Sequence, residues 1–181
     1  IIKVGGAYHG WSDQMVYGLK IPGSRALLES HGIPGGCYEA TDEVRPNDLT
    51  MLEDMLKRNV LLGGTAGVIV EPVGPESGTR PIGHEYNKGV RALCDKYGAL
   101  MIFDEPEAGI DLWSFARLTE TFRDLHEKGR HTIIIISHQE RIIRLADEIV
   151  LLANGEIAGR GTADELYPRL LSQTVAGCNL L

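Results

Sequence analysis

Continuous apolar runs and segments of helical period alternate along this chain. Ile1-Ile2-Lys3-Val4 is short, β-branched and closed by glycines, which predicts a strand over about 1–6. A long connection follows from Gly10 to Gly36, broken by Pro22, Gly32 and Pro34. Connections of that length carry a function or an interface more often than not. Residues 37–41 predict a short edge strand. Asn47-Asp48 then caps a helix whose Leu49, Leu52, Met55 and Leu56 share one face. Gly67-Val68-Ile69-Val70 is apolar without alternation, the mark of a strand buried on both sides. His84 to Tyr97 reads as a helix stopped by Gly98, and Leu100 to Phe103 as a buried strand ending on Asp104-Glu105.

The rhythm continues to the far end. A helix over about 113–128 carries Phe115, Leu118, Phe122 and Leu125 on one face, with Trp113 and Phe115 as core candidates. Thr132 to Ile136 is β-branched throughout, and Glu140 to Ala146 is a short helix. Asn154-Gly155 between two apolar runs is a hairpin signal, because both residues tolerate positive φ. Thr162 caps a last helix. Strands alternating with helices predict an α/β, three-layer sandwich: a mostly parallel, doubly wound sheet with a C-terminal β-hairpin. The expected strand order is 37–41, 1–6, 67–71, 100–104, 132–136, then the hairpin in the same sheet. Phe103, Phe115, Leu118 and Ile134 are expected to be buried beneath the helices.

Composition narrows the partners. Of 181 residues, 43% are hydrophobic and 24% charged, enough apolar material for a core in a single domain over 1–181. A net charge of −7 argues against nucleic acid and against anionic membrane surfaces. The three cysteines, Cys37, Cys94 and Cys178, are odd in number and widely spaced, which predicts reduced thiols and a cytoplasmic, soluble setting. Cys94 is expected to be buried and inert. No apolar run approaches the roughly 18 residues of a membrane helix.

In a parallel sheet the carboxyl ends of the strands share one rim, where ligands bind. Tyr8 and His9 follow one strand, Glu71 follows another and Asp104 ends a third, so the four can converge. An aromatic ring that stacks on a heteroaromatic one, with a buried carboxylate for its protonated nitrogen, suits pyridoxal phosphate. Taken singly, Tyr8 is as readily a half-buried aromatic, His9 a satisfied polar side chain and Glu71 a loop anchor. The runs GAYHGWSDQMVYG, GTAGVIVEPVGPESGTRP and RALCDKYGALMIFDE, within residues 1–104, resemble the large domain of the class-III aminotransferases of the glutamate-1-semialdehyde aminomutase type. The resemblance implies that Tyr8 stacks on the cofactor ring, that Asp104 pairs with its pyridine nitrogen, and that His9 and Glu71 line the site. The family's phosphate-binding turn precedes the strand that opens this chain, and its cofactor-anchoring lysine follows the point where the resemblance stops.

From Asp104 onward a second resemblance begins. Asp104-Glu105-Pro106-Glu107-Ala108-Gly109-Ile110-Asp111, then Ile135-Ile136-Ser137-His138, then ADEIVLLANGEIAGRGTADEL are similar to the Walker B strand, switch histidine and closing hairpin of ABC-type ATPases of iron–sulfur cluster assembly. That resemblance implies Mg²⁺ held through water by Asp104, a water-polarising Glu105 and a phosphate-sensing His138. There is no G-x-x-x-x-G-K-[ST] loop to cradle phosphates.

Together the resemblances imply two fragments, 1–104 and 105–181, joined as an engineered chimera with no native catalytic function. Glu105 and His138, and the cofactor residues Tyr8, His9, Glu71 and Asp104, are then vestigial; no metal and no cofactor is expected beyond weak pyridoxal phosphate or phosphate. A residual binder of pyridoxal phosphate, nucleotide or phosphate at the rim is the alternative. A truncated natural subunit completed by a partner is a third. A homodimer formed through the 10–36 loop is the expected association.

Overall fold

The computed structural model describes residues 1–10, 12–18, 32–75, 80–107, 110–127 and 132–168. Five strands form a parallel sheet: β1 (Ile2–Val4), β2 (Asp42–Val44), β3 (Gly67–Val70), β4 (Leu100–Asp104) and β5 (Ile134–Ile136), in the order β2-β1-β3-β4-β5. The α/β architecture and this order match the pattern of apolar runs. Two details differ. Residues 35–37 form a 3-10 turn instead of leading into a strand at 37–41, because the Gly35 carbonyl already takes the Tyr38 N–H. The edge strand starts at Asp42, whose N–H reaches the Ile1 carbonyl at 2.8 Å.

The second difference is the hairpin. β6 (Ile149–Ala153) and β7 (Glu156–Gly161) pair only with each other, so the expected single sheet is two sheets. Asn154 and Gly155 turn it with φ of 53° and 78°, as an Asn-Gly turn should. Its self-pairing satisfies the backbone locally, and nothing in the local chemistry requires it to extend β5.

Helix α1 (Leu49–Val60) begins where the Asp48 carboxylate accepts the Met51 N–H at 2.8 Å. Helix α2 (His84–Tyr97) ends where Gly98 takes a left-handed φ of 68°. The two helices bury Leu52, Leu56, Tyr86, Val90 and Cys94 against Ile2, Val4, Val44, Val68, Val70 and Met101. Each such aliphatic side chain, fully withdrawn from water, contributes roughly 1.5–3 kcal/mol.

Lys3 alternates to the other face of β1 and is wholly buried. Its ammonium donates to the Met15 carbonyl at 2.8 Å and to the Tyr17 carbonyl, and lies 4.6 Å from the Tyr17 ring centroid. The strand register sets it opposite Glu43, also buried. So residues 12–18 cover this part of the sheet through one lysine. The remainder of the 10–36 loop, residues 19–31, lies outside the described residues, and with it most of the surface expected to make a dimer.

Helix α3 (Leu112–Glu127) packs through Phe122, whose ring meets that of Phe103 edge-on at 5.8 Å. Expectations of burial here need correction. Phe103, Phe115 and Leu118 are half-buried, Ile134 and Ile136 are exposed, and Trp113 is 84% exposed. Short β5 is the last strand of the sheet, so its side chains lack a further neighbour. Helix α4 (Glu140–Ile143) is a single turn that buries Ile142. No helix among the described residues is long and apolar enough to cross a membrane.

Candidate functional site at the carboxyl rim of the sheet

The parallel register brings the ends of β1, β3 and β4 side by side. After β1 the chain turns at Gly6, with φ of 87°, and runs through Ala7, Tyr8 and His9 along the rim. That left-handed φ is what calls for glycine at this position.

Two hydrogen bonds tie the rim together. The Tyr8 N–H donates to Glu71 Oε1 at 2.7 Å, and His9 Nδ1 lies 2.5 Å from Asp104 Oδ2. Glu71 is buried and belongs to the turn after β3, which closes with the Gly74 N–H on the Glu71 carbonyl at 3.0 Å. Asp104 is the last residue of β4, paired with Ile136 of β5 one residue past the end of the β3 ladder. The imidazole of His9 is 1% exposed and the Asp104 side chain 11%. The four residues placed on one rim by their positions after strands thus form two bonded pairs: Tyr8 with Glu71, and His9 with Asp104.

Tyr8 is 44% exposed at the rim while its backbone is pinned. Asp104 Oδ1 makes no hydrogen bond among the described residues, and His9 Nε2 is buried without a partner there. Buried polar atoms without partners are uncommon, and one at a rim marks a place for a ligand or water. A fixed carboxylate with one oxygen engaged by His9, on a rim that also carries a partly exposed tyrosine, fits a protonated heteroaromatic ring. Among the described residues no group of three His, Cys, Asp or Glu side chains able to hold an ion occurs.

Glu105 and His138 sit further along the rim. Glu105 has a φ of 41° and donates its N–H to the Ile136 carbonyl at 2.9 Å. Its carboxylate is 3.7 Å from His138 Nδ1, and both side chains face solvent. Beside them lies a pair that the motifs did not reveal. Ser137 donates its hydroxyl to Glu107 Oε1 and accepts the Gln139 N–H at 3.0 Å. The only sequence signal for it is that Ser137 and Glu107 each follow the end of neighbouring strands.

The sequence model of the family Aminotransferase class-III matches residues 1–151. The glutamate-1-semialdehyde 2,1-aminomutase of Natranaerobius thermophilus is 38% identical over 113 residues, covering 60% of this chain and 25% of that protein. The aminomutase of Clostridium kluyveri is 39% identical over 113 residues, covering 60% of this chain and 26% of its own. Among solved structures, a glutamate-1-semialdehyde-aminomutase from Pseudomonas aeruginosa overlays 57% of this chain on 22% of its own, at 27% identity and a TM-score of 0.46. The chain spans about a quarter of the length of the curated relatives it matches.

The family match passes Asp104 and runs on through α3, β5 and α4 to residue 151. It therefore overturns the expectation of an engineered chimera joined at Asp104 and catalytically silent. With that expectation go its two corollaries, that the chain is no enzyme's and that no cofactor is to be expected, since the matching relatives are named as enzymes of amino-group chemistry.

Proposed function

The chain belongs to the class-III aminotransferase family, and from that premise we propose that its rim holds the pyridine end of pyridoxal phosphate. The observation that carries this reading is the His9–Asp104 pair beside an exposed, backbone-pinned Tyr8. Asp104 would hold the pyridine nitrogen through its carboxylate and keep it protonated, because a fixed anion favours its protonated neighbour. His9 engages Oδ2 and so fixes the plane of the carboxylate. Tyr8 would line the ring, and Glu71 holds Tyr8 through its backbone. When bound, the cofactor supplies an electron sink for amino-group chemistry on a substrate.

The described lysines do not supply a covalent anchor at the rim. Lys3 is enclosed beneath Tyr17, and Lys57, Lys88 and Lys96 are exposed on α1 and α2. The chain's part is therefore to orient the ring and hold the proton on its nitrogen. The names of the relatives support a finer reading, aminomutase chemistry on glutamate-1-semialdehyde by the whole protein. Glu105 and His138, both exposed, have no part in it.

The test is a fluorescence titration of the full chain with pyridoxal phosphate. Losing a charge-assisted hydrogen bond costs about 1.5–3 kcal/mol, so Asp104→Ala should weaken binding by about tenfold or more. Equal affinity in the variant contradicts the proposal.

A further inference from the structure

The turn after β3 is held carbonyl by carbonyl. The Gly74 N–H donates to the Glu71 carbonyl at 3.0 Å, and the Ile82 N–H donates to that of Val73 at 3.3 Å. Both donors belong to the loop's own backbone. The Pro72 carbonyl between them has a partner from another element: Asn87 Nδ2, near the start of α2, donates to it at 2.8 Å. Because Glu71 and Gly74 close the turn, Pro72 and Val73 are its central residues, and the Pro72 carbonyl belongs to its central peptide. The orientation of that peptide distinguishes the common turn types, and the closing bond does not touch it. Asn87 clamps it.

This placement is locally unfavourable. Asn87 Oδ1 is buried and has no hydrogen-bond partner among the described residues. Pro72 offers an acceptor, so the amide nitrogen faces it and the oxygen faces the other way. A buried acceptor without a donor is destabilising, and a side chain that served only helix packing would do better without one. The clamped turn, in contrast, has a use. It carries Glu71, whose Oε1 accepts the Tyr8 N–H at 2.7 Å. Glu71 is buried, so its carboxylate follows its own backbone. A line of contacts therefore runs from α2 through Pro72 and Glu71 to the backbone of Tyr8.

We propose that Asn87 is a positioning residue for the rim: by fixing the Pro72 peptide it sets Glu71, and through Glu71 it sets Tyr8. Its consequence for the cofactor rests on the reading of the rim as a pyridoxal phosphate site, whereas its effect on Tyr8 belongs to the chain alone. The test is amide hydrogen exchange of the full chain without cofactor, followed by the fluorescence titration with pyridoxal phosphate. Asn87→Ala removes the clamp together with its unpartnered oxygen and suits a helix, while Asn87→Asp keeps the shape and removes the donor. In both, exchange at Tyr8 should quicken about fivefold, the share of one net hydrogen bond, while the core amides of Val68 and Val90 keep their parent rates. Cofactor affinity should fall by a similar factor. In a Glu71→Ala background, Asn87→Ala should change Tyr8 exchange no further, because its route is gone. Tyr8 exchange at the parent rate in both variants would overturn the proposal. So would a rise shared equally by Val68 and Val90, or an undiminished rise in the Glu71→Ala background. A parent chain that fails to bind the cofactor would overturn the reading of the rim, and Tyr8 exchange would still decide for or against Asn87.

Discussion

His9 Nδ1 and Asp104 Oδ2 stand 2.5 Å apart although 95 residues separate them in the chain. The pair closes the rim between β1 and β4 across the intervening β3. It lies almost wholly out of water, so its loss leaves a buried carboxylate without its donor. Such a loss costs about 1–3 kcal/mol. His9→Phe is therefore expected to lower the urea midpoint and to weaken pyridoxal phosphate binding together. A variant with an unchanged midpoint would show the pair to be incidental to the fold.

Gly74 closes the turn that carries Glu71. Its φ is 128°, and a side chain there would stand 2.3 Å from the Arg80 carbonyl oxygen, which is backbone and cannot step aside. Gly74→Ala should destabilise the chain by about 1–3 kcal/mol, the range for a residue held in a conformation it disfavours. It should also displace Glu71 from the Tyr8 N–H, read as faster hydrogen exchange at Tyr8. Exchange at Tyr8 equal to that of the parent chain would separate the turn from the site.

Most of the sheet was legible in the residues, and so was the rim. Leu52 and Leu56 recur at helical spacing and do face the sheet; the unbroken apolar run of β3 is buried along its length. The order of all five strands follows from apolar runs and from the resemblance. What stayed hidden depends on distant neighbours. Nothing in the run Ile1-Ile2-Lys3-Val4 signals that residues 12–18 fold over Lys3 and bury it. Ile134 reads as core, yet no described strand lies beyond β5. The hairpin reads as an extension of the sheet, yet its own ladder satisfies it. At the site, residue positions after strands located Tyr8, His9, Glu71 and Asp104. The pairing within the four came only from the fold. The boundary read at Asp104 rested on an apolar strand ending in Asp-Glu, a local pattern that two families share.

Lys3 gives a prediction about stability. Removing a buried ammonium that serves two carbonyls leaves both acceptors stranded, and each buried acceptor left without its donor costs about 1–3 kcal/mol. Lys3→Ala should unfold the segment 12–18 or the whole chain at much lower urea. Lys3→Ala and Glu43→Ala together should cost less than the sum of the two, since each alone strands the other. Additive losses in that double-mutant cycle would mean the two do not interact.

Titration behaviour follows from burial. The Cys94 thiol is pushed from 9.0 up to about 11, chiefly because burial penalises the thiolate. The folded form thus keeps a proton that the unfolded form releases, so stability is unaffected below about pH 9 and falls from there toward pH 11. Tyr86 is raised in the same direction and for the same cause. At the acid end, Glu53 is held below its usual value of 4.5 by hydrogen bonds from Lys96 and Tyr97, which tie α1 to α2. Its contribution is present above pH 4.5 and is lost as pH falls through the lowered value. Urea midpoints across pH should show both declines, and Cys94→Ala should blunt the alkaline one. An alkaline decline identical in Cys94→Ala would assign it to other groups.

The central claim is that Asp104 holds a proton on the cofactor's pyridine nitrogen. Pyridoxal phosphate labelled with ¹⁵N at that nitrogen, added to the full chain, reports the proton directly through its chemical shift. The account predicts the shift of a protonated pyridinium in the bound state at pH values where the free cofactor has lost that proton, and a return to the unprotonated shift in Asp104→Asn. A bound cofactor with an unprotonated nitrogen, or the same protonated shift in Asp104→Asn, would contradict it.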